Sequence, residues 1–183
     1  MSAVRGLVTA GGFALAMLGA ALAQPAPKAP AAGTAAPPPA PTAPPAETVL
    51  VGPTGKTLKI TAATLAGLDR EQAVMTNHSQ PHTYEGVRLT ELLRLVDAPT
   101  AARVHAEAVK DYLVVTGGDG FRAVLSLAET DGSVQAHPVI LADRMDGAPL
   151  TAHDAPYRLV VDGDRKPSRS VYAVTRIEVK VLP

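Results

Sequence analysis

Residues 24–46 restrict what this chain can fold into more than any other part of the sequence. They are almost all proline and alanine, and Lys28 is their only charged residue. This composition offers no side chains for a hydrophobic core, and its proline runs favour an extended, solvated helix. We therefore expect a flexible spacer over residues 24–46 and one folded domain over residues 47–183. The alternative is a spacer that also carries a proline-rich ligand motif.

The first 23 residues have the features of a secretory signal peptide. Arg5 and the amino terminus supply positive charge, residues 7–18 are apolar apart from Thr9, and residues 21–23 form the small-residue pattern that signal peptidase cleaves. The apolar run is shorter than the ~20 residues that span a membrane. We expect cleavage after Ala23 and export, most simply to a bacterial periplasm, with no membrane span left. The alternative is a retained N-terminal anchor.

Residues 47–183 must fold without covalent cross-links, because the chain contains no cysteine. In an oxidising compartment, burial alone then holds the domain together. All 17 acidic residues lie in this range, as do all basic residues except Arg5 and Lys28. The resulting net charge of about −2 gives no basis for nucleic-acid binding.

Short apolar runs separated by turn residues predict an α+β, mostly β domain. Residues 48–51 and 56–60 flank a Gly-Pro-Thr-Gly turn and indicate a hairpin. Four Asp-Gly pairs mark further turns. The other predicted strands are 111–116, 121–125, 138–142, 157–161 and 171–181.

Two helices and one capped turn complete the prediction. Thr61 can cap a short helix that ends near Leu68. A second helix is predicted by four apolar residues at helical spacing, and Pro99 ends it. These four residues are Leu89, Leu92, Leu93 and Val96. Ser126 and Glu129 have the spacing of a capping box, and residues 73–84 fit neither a helix nor a strand clearly.

Several segments resemble the sulfite-oxidase-type molybdopterin-binding family. The resemblance covers roughly residues 48–179, and its motifs are short but occur in a specific order. They are Tyr84-Glu85-Gly86-Val87, residues 111–121, residues 139–150, Pro156-x-Arg158-Leu159-Val160-Val161 and residues 170–179.

This resemblance implies an α+β fold with short helices packed on mixed sheets, and a molybdopterin cofactor held in a surface cleft. In catalytic members a cysteine about a dozen residues before the glycine that matches Gly86 binds molybdenum. That position falls near Val74 and Met75, where no thiol exists. A neutral thioether does not supply the charge of a thiolate, so we expect no standard molybdenum–thiolate catalysis, no catalytic residue and no dedicated metal site.

The basic turn over residues 163–170 is the first candidate contact for a ligand. It combines three cations with two hydroxyl groups, which could hold a phosphate by charge-assisted hydrogen bonds. The resemblance points to Arg169 and Ser170 as cofactor-binding residues, with Lys166 and Ser168 beside them. The alternative is a solvated turn in which Asp164 is the counter-ion.

His78, His82 and Arg144 are the remaining candidates for cofactor binding. The two histidines are four residues apart, a spacing that suits metal binding on a helix, but Pro81 disfavours a helix there. They could instead line a cofactor cleft or lie exposed in a loop. Arg144 follows an apolar strand and could line the cleft or pair with Asp143 on its rim.

Two main hypotheses about function follow, and true redox catalysis, with turnover of sulfite or a sulfoxide, is a third option. The first is an exported, single-domain molybdopterin-binding-like protein that binds a pterin or another anionic small molecule. The second is a non-enzymatic periplasmic interaction module that keeps only the fold and binds a protein partner. Fold alone does not decide between them.

Overall fold

The computed structural model of the protein describes residues 47–77 and 79–183. The expected signal peptide, the proline-rich spacer and His78 lie outside these residues. Within them, no helix has the length and apolar character needed to cross a membrane.

The first sheet brings together strands from both ends of the domain. Its strands are β1 (Thr48–Val51), β2 (Thr57–Ile60), β5 (Tyr112–Gly117), β6 (Arg122–Ser126) and β10 (Val174–Lys180). Their order is β2-β1-β10-β5-β6. The β1–β2 pair is the predicted hairpin, and β1 runs parallel to β10. Buried and more exposed side chains alternate along β5, as expected for a strand with one face on a core.

Two α-helices and three 3₁₀ turns connect the strands. Thr61 is the N-cap residue of helix α1 (Ala62–Ala66) and forms a capping box with Thr64. Helix α2 (Leu89–Arg94) confirms the predicted apolar face, although it ends before Val96. The 3₁₀ turns are Ala101–Arg103, Ala106–Lys110 and Ala128–Thr130.

The second sheet contains the hairpin that the sequence pattern left unassigned. Its strands are β3 (Arg70–Asn77), β4 (Gln80–Arg88), β7 (Val139–Met145), β8 (Ala148–Pro149) and β9 (Arg158–Val161). The order is β3-β4-β7-β8, with β9 paired to β7. The unassigned residues 73–84 span the end of β3, the turn and the start of β4. Together the two sheets confirm a mostly β, α+β fold.

Gly86 allows β4 and β7 to approach each other closely. The register between these strands shifts between Glu85 and Gly86. A Cβ atom at Gly86 would lie 2.1 Å from the carbonyl oxygen of Leu141. A side chain at this position would therefore force the strands apart.

Two separate cores stabilise the domain. The main core packs helix α2 and apolar residues of both sheets together, including Leu50, Ile177 and Leu141. The minor core lies on the other face of the second sheet. It consists of Ala73, Met75, Tyr84, Ile140, Ala142 and Val160.

The second sheet curls around the minor core, so that β3 comes into contact with β9. The backbone N–H of Val74 donates to Asp162 Oδ1 at 2.8 Å. Asp162 directly follows β9, and its other carboxylate oxygen is 2.9 Å from His137 Nδ1. The Asp162 side chain thus accepts a hydrogen bond from a backbone N–H on the edge strand β3. Without it, this N–H would have no partner at the edge of the sheet.

Candidate functional site

A cleft of about 280 Å³ lies beside the minor core. Strands β3, β4, β7 and β9 contribute to it, together with the segments before and after β9. Its walls combine aromatic, charged and amide side chains. The lining residues are Asn77, His82, Tyr84, Met145, His153, Asp154, Arg158 and Tyr172.

Arg158 lines this cleft because successive side chains of β9 face opposite sides of the strand. Leu159 and Val161 face the main core, whereas Val160 faces the minor core. Arg158 shares the face of Val160, and only 2% of its surface is exposed. Its Nε donates to Ser170 Oγ at 2.9 Å. The Ser170 hydroxyl donates in turn to the carbonyl oxygen of Leu159 at 2.7 Å.

Aromatic rings enclose the guanidinium group of Arg158. Its Cζ lies 5.1 Å from the ring centroid of Tyr84 and 4.1 Å from that of Tyr172. The ring of His153 packs against Tyr172 with centroids 4.7 Å apart. Cation–π contacts of this kind fix the plane of a guanidinium and lower the cost of its burial.

Three buried polar atoms of residues that line the cleft have no hydrogen-bond partner in the described part of the chain. They are Tyr84 Oη, Asp154 Oδ1 and Arg158 Nη2. The other carboxylate oxygen of Asp154 is 3.5 Å from Arg158 Nη1, a long contact between two side chains that are both almost fully buried. Unsatisfied buried polar groups are costly, so these three atoms are candidates for contact with a polar ligand.

Tyr84 and His82 have different electrostatic surroundings. Burial raises the pKa of Tyr84, and the charge of Arg158 offsets part of this rise. Tyr84 is therefore neutral and can donate a hydrogen bond. On the rim, His82 Nδ1 is 2.7 Å from Asp146 Oδ2, and the backbone N–H of Thr83 donates to the other oxygen. The hydrogen bond with His82 is the main reason that the pKa of Asp146 is lowered.

The structure separates the predicted ligand residues into two groups. His82 lines the cleft, and Ser170 lies directly behind Arg158. Arg169 instead pairs with Asp164 and Glu129, each at 2.8 Å. Lys166 and Ser168 are exposed and do not line the cleft.

Arg144 and His78 complete the predicted set. Arg144 is exposed, and its Nη2 donates to the carbonyl oxygen of Gly147. It does not line the cleft. His78 lies outside the described residues. The expected cofactor-binding role of the predicted residues remains a prediction.

Sequence reasoning missed His153, Asp154, Arg158 and Tyr172 as site residues. One signal for Arg158 is present in the sequence, because it is the single charged residue in the strand pattern of residues 157–161. A charge within a buried strand needs a partner. Nothing local marks Tyr172, which reaches the cleft only through the pairing of Val171 with Leu159.

The cleft provides no thiolate for a metal. Met75 is 1% exposed within the minor core and pairs with His82 across β3 and β4. Val74, by contrast, is 50% exposed. Among the described residues, no group of three His, Asp or Glu side chains could hold a metal ion. The chain therefore offers no protein thiolate that could bind a molybdenum ion at this cleft.

Comparison with known proteins agrees with this fold. A family model described as the oxidoreductase molybdopterin binding domain matches residues 54–181. Among solved structures, the sulfane dehydrogenase SoxCD from Paracoccus pantotrophus is similar, with 18% sequence identity and a TM-score of 0.52. The match covers 75% of this chain but only 39% of the SoxCD chain. No curated protein matches the sequence.

Proposed function

Because this chain belongs to the oxidoreductase molybdopterin-binding domain family, we propose that its cleft binds a pterin or another anionic small molecule without molybdenum–thiolate catalysis. A molybdopterin cofactor would supply a pterin ring, a phosphate and a redox-active metal when bound. His82, Tyr84, Asp154 and Arg158 are the residues that would hold its organic part.

One observation carries this proposal. Three buried polar atoms without partners belong to residues that line the same cleft, namely Tyr84, Asp154 and Arg158. Buried polar groups in folded proteins are almost always paired. Their concentration in one cleft, beside the rings of Tyr172 and His153, supports a planar polar ligand that completes their hydrogen bonds.

The lack of cysteine supports a role other than standard catalysis. Any molybdenum bound here would lack a protein thiolate, the soft charged ligand that suits this type of metal. Activity would then need an external ligand for the metal. Alternatively, the protein would act as a carrier or accessory factor for the cofactor.

Purification from a cofactor-competent host tests the proposal. We expect the wild-type protein to retain a pterin, measured by fluorescence after oxidation, and we expect Arg158→Gln to lose it. Arg176→Gln is the matched control, because Arg176 lies exposed on β10 in the first sheet. Brisk turnover of sulfite or of a sulfoxide by the purified protein would contradict the non-catalytic part of the proposal.

A periplasmic interaction module is the second candidate. The cleft volume of about 280 Å³ falls just below the ~300–1,000 Å³ of typical ligand sites. The stacked side chains of Tyr84, Arg158, Tyr172 and His153 occupy part of the space. Well-folded protein that carries neither molybdenum nor pterin would favour this second function.

Export is part of the same proposal. The apolar run and the Ala-Leu-Ala sequence at residues 21–23 support secretion to a periplasm. Expression of the full chain in a Gram-negative host, followed by N-terminal sequencing of the periplasmic fraction, tests it. Mature protein that starts at Gln24 is the expected result, and full-length protein in the membrane fraction would contradict it.

A further inference from the structure

We infer that Asp154 and Arg158 together recognise the lactam edge of a planar heterocycle, meaning a ring carbonyl beside a ring N–H, and that Asp154 disfavours phosphate at this position, so that an anionic group of the ligand would lie away from these two residues. This inference rests on the proposed ligand-binding function and specifies which part of the ligand the cleft reads. Pterins and guanine nucleosides share this edge.

The pairing of the two side chains leaves one donor and one acceptor free. Arg158 Nη1 and Asp154 Oδ2 face each other at 3.5 Å. Arg158 Nη2 and Asp154 Oδ1 are buried and have no partner among the described residues. Because the two side chains are paired, this donor and this acceptor are complemented by an acceptor and a donor on one edge of a ligand. A lactam edge has this arrangement, whereas a phosphate presents acceptors only.

The charges in the cleft support the same conclusion. The positive charge of Arg158 is balanced by Asp154, and at the rim the carboxylate of Asp146 contacts His82. Among the described residues that line the cleft, no excess positive charge is left to attract a phosphate. In a buried site, the Asp154 carboxylate would also repel a phosphate strongly, because water screens the charges poorly.

Both recognition groups are held in place before any ligand arrives. Ser170 and the two tyrosine rings fix the plane of the Arg158 guanidinium. The backbone N–H of Asp154 donates to Thr151, and its carbonyl accepts from Ala173, both at 3.0 Å. Because the fork of a guanidinium is rigid, fixing its plane also fixes the direction in which Nη2 donates.

Binding of four probes to the wild-type protein tests the inference. The probes are pterin, 3-methylpterin, guanosine and inorganic phosphate, measured by fluorescence titration or calorimetry. Methylation at N3 removes the ring N–H that would donate a hydrogen bond to Asp154. We expect pterin to bind wild-type protein about tenfold to hundredfold more tightly than 3-methylpterin, the range for a hydrogen bond to a charged group. Comparison of pterin with guanosine shows whether the cleft prefers the lactam edge of a pterin or that of a guanine nucleoside.

Asp154→Asn provides the protein-side test. We expect this variant to lose most of its preference for pterin over 3-methylpterin and to bind phosphate more tightly than the wild type does. Asp97→Asn is the matched control, because it makes the same change at an exposed residue that pairs with Lys56. If Asp154→Asn does not fold, the comparison of pterin with 3-methylpterin on wild-type protein still decides.

The failure of the inference can be distinguished from the failure of the proposed function. Equal binding of pterin and 3-methylpterin by the wild type would overturn the inference but leave ligand binding intact. Tighter binding of phosphate than of pterin would do the same. If the wild type bound none of the four probes, both the inference and the proposed function would fall.

Discussion

Ser170 accepts a hydrogen bond from Arg158 at 2.9 Å, although the two residues are separated by the end of β9 and the basic turn. Both side chains are buried. The serine thus connects the predicted basic turn to the cleft without itself lining the cleft. Its role here is to position Arg158.

Ser170→Ala should reduce both stability and pterin binding, because it removes the only hydrogen bond that the Nε of Arg158 makes among the described residues. We expect the free energy of unfolding to fall by ~1–3 kcal/mol, the cost of leaving a buried donor unpaired. Urea unfolding measures this change. Ser168→Ala is the control, because Ser168 is exposed and should change stability by less than ~0.5 kcal/mol. Equal effects of the two substitutions would exclude the positioning role.

Arg169→Ala separates a structural role of the basic turn from a ligand-binding role. Arg169 pairs with Asp164 and Glu129, and its side chain is 36% exposed. We expect the free energy of unfolding to fall by no more than about 1 kcal/mol, because exposed ion pairs contribute little. Pterin affinity should remain unchanged. A clear loss of affinity in a variant of normal stability would show that Arg169 contacts the ligand.

Gly86→Ala should prevent normal pairing of β4 with β7. The new Cβ would lie 2.1 Å from the carbonyl oxygen of Leu141. The backbone of Leu141 cannot move away from this Cβ without separating β7 from β4. We expect a loss of at least ~3 kcal/mol in the free energy of unfolding, at the upper end for overpacking. Gly67→Ala is the control, because no atom lies within 4 Å of a Cβ at Gly67. A thermal melt close to that of the wild type would contradict the close approach of the two strands.

Asp131 should make stability depend on pH in the acid range. Burial alone would raise its pKa, but hydrogen bonds from the backbone N–H groups of Ala101 and Ser133 lower it below its usual value of 3.8. The stabilisation is therefore fully present above pH 3.8 and is lost as the pH falls through the lowered pKa.

Comparison of wild-type protein with Asp131→Asn measures this effect. We expect the variant to be less stable by ~1–3 kcal/mol near neutral pH. The difference in unfolding free energy should shrink near pH ~2, where the wild-type carboxylate is also neutral. A difference that stayed constant between the two pH values would show that the charge of Asp131 is not what stabilises this region.

The candidate site was only partly predictable from the sequence. His82 lines the cleft and Ser170 supports it, but Arg169 of the predicted basic turn pairs with Asp164 and Glu129 instead. A charged turn has the same local pattern whether it binds a ligand or its own carboxylates. Glu129, one of the two partners of Arg169, is 40 positions away in the chain, and no local pattern could reveal it.

Elements with local signals could be predicted from the amino-acid sequence alone. The β1–β2 hairpin, the apolar face of α2 and the capped turn at Ser126 all follow from residue spacing and turn chemistry. The absence of cysteine, and with it of a protein thiolate for a metal, is also a property of the sequence alone. Tertiary structure decided the rest, because the cleft depends on long-range pairing of strands. The curl of the second sheet and the bridge between Leu159 and Val171 bring Tyr84, Asp154, Arg158 and Tyr172 together, and no periodicity in the sequence encodes contacts across such distances.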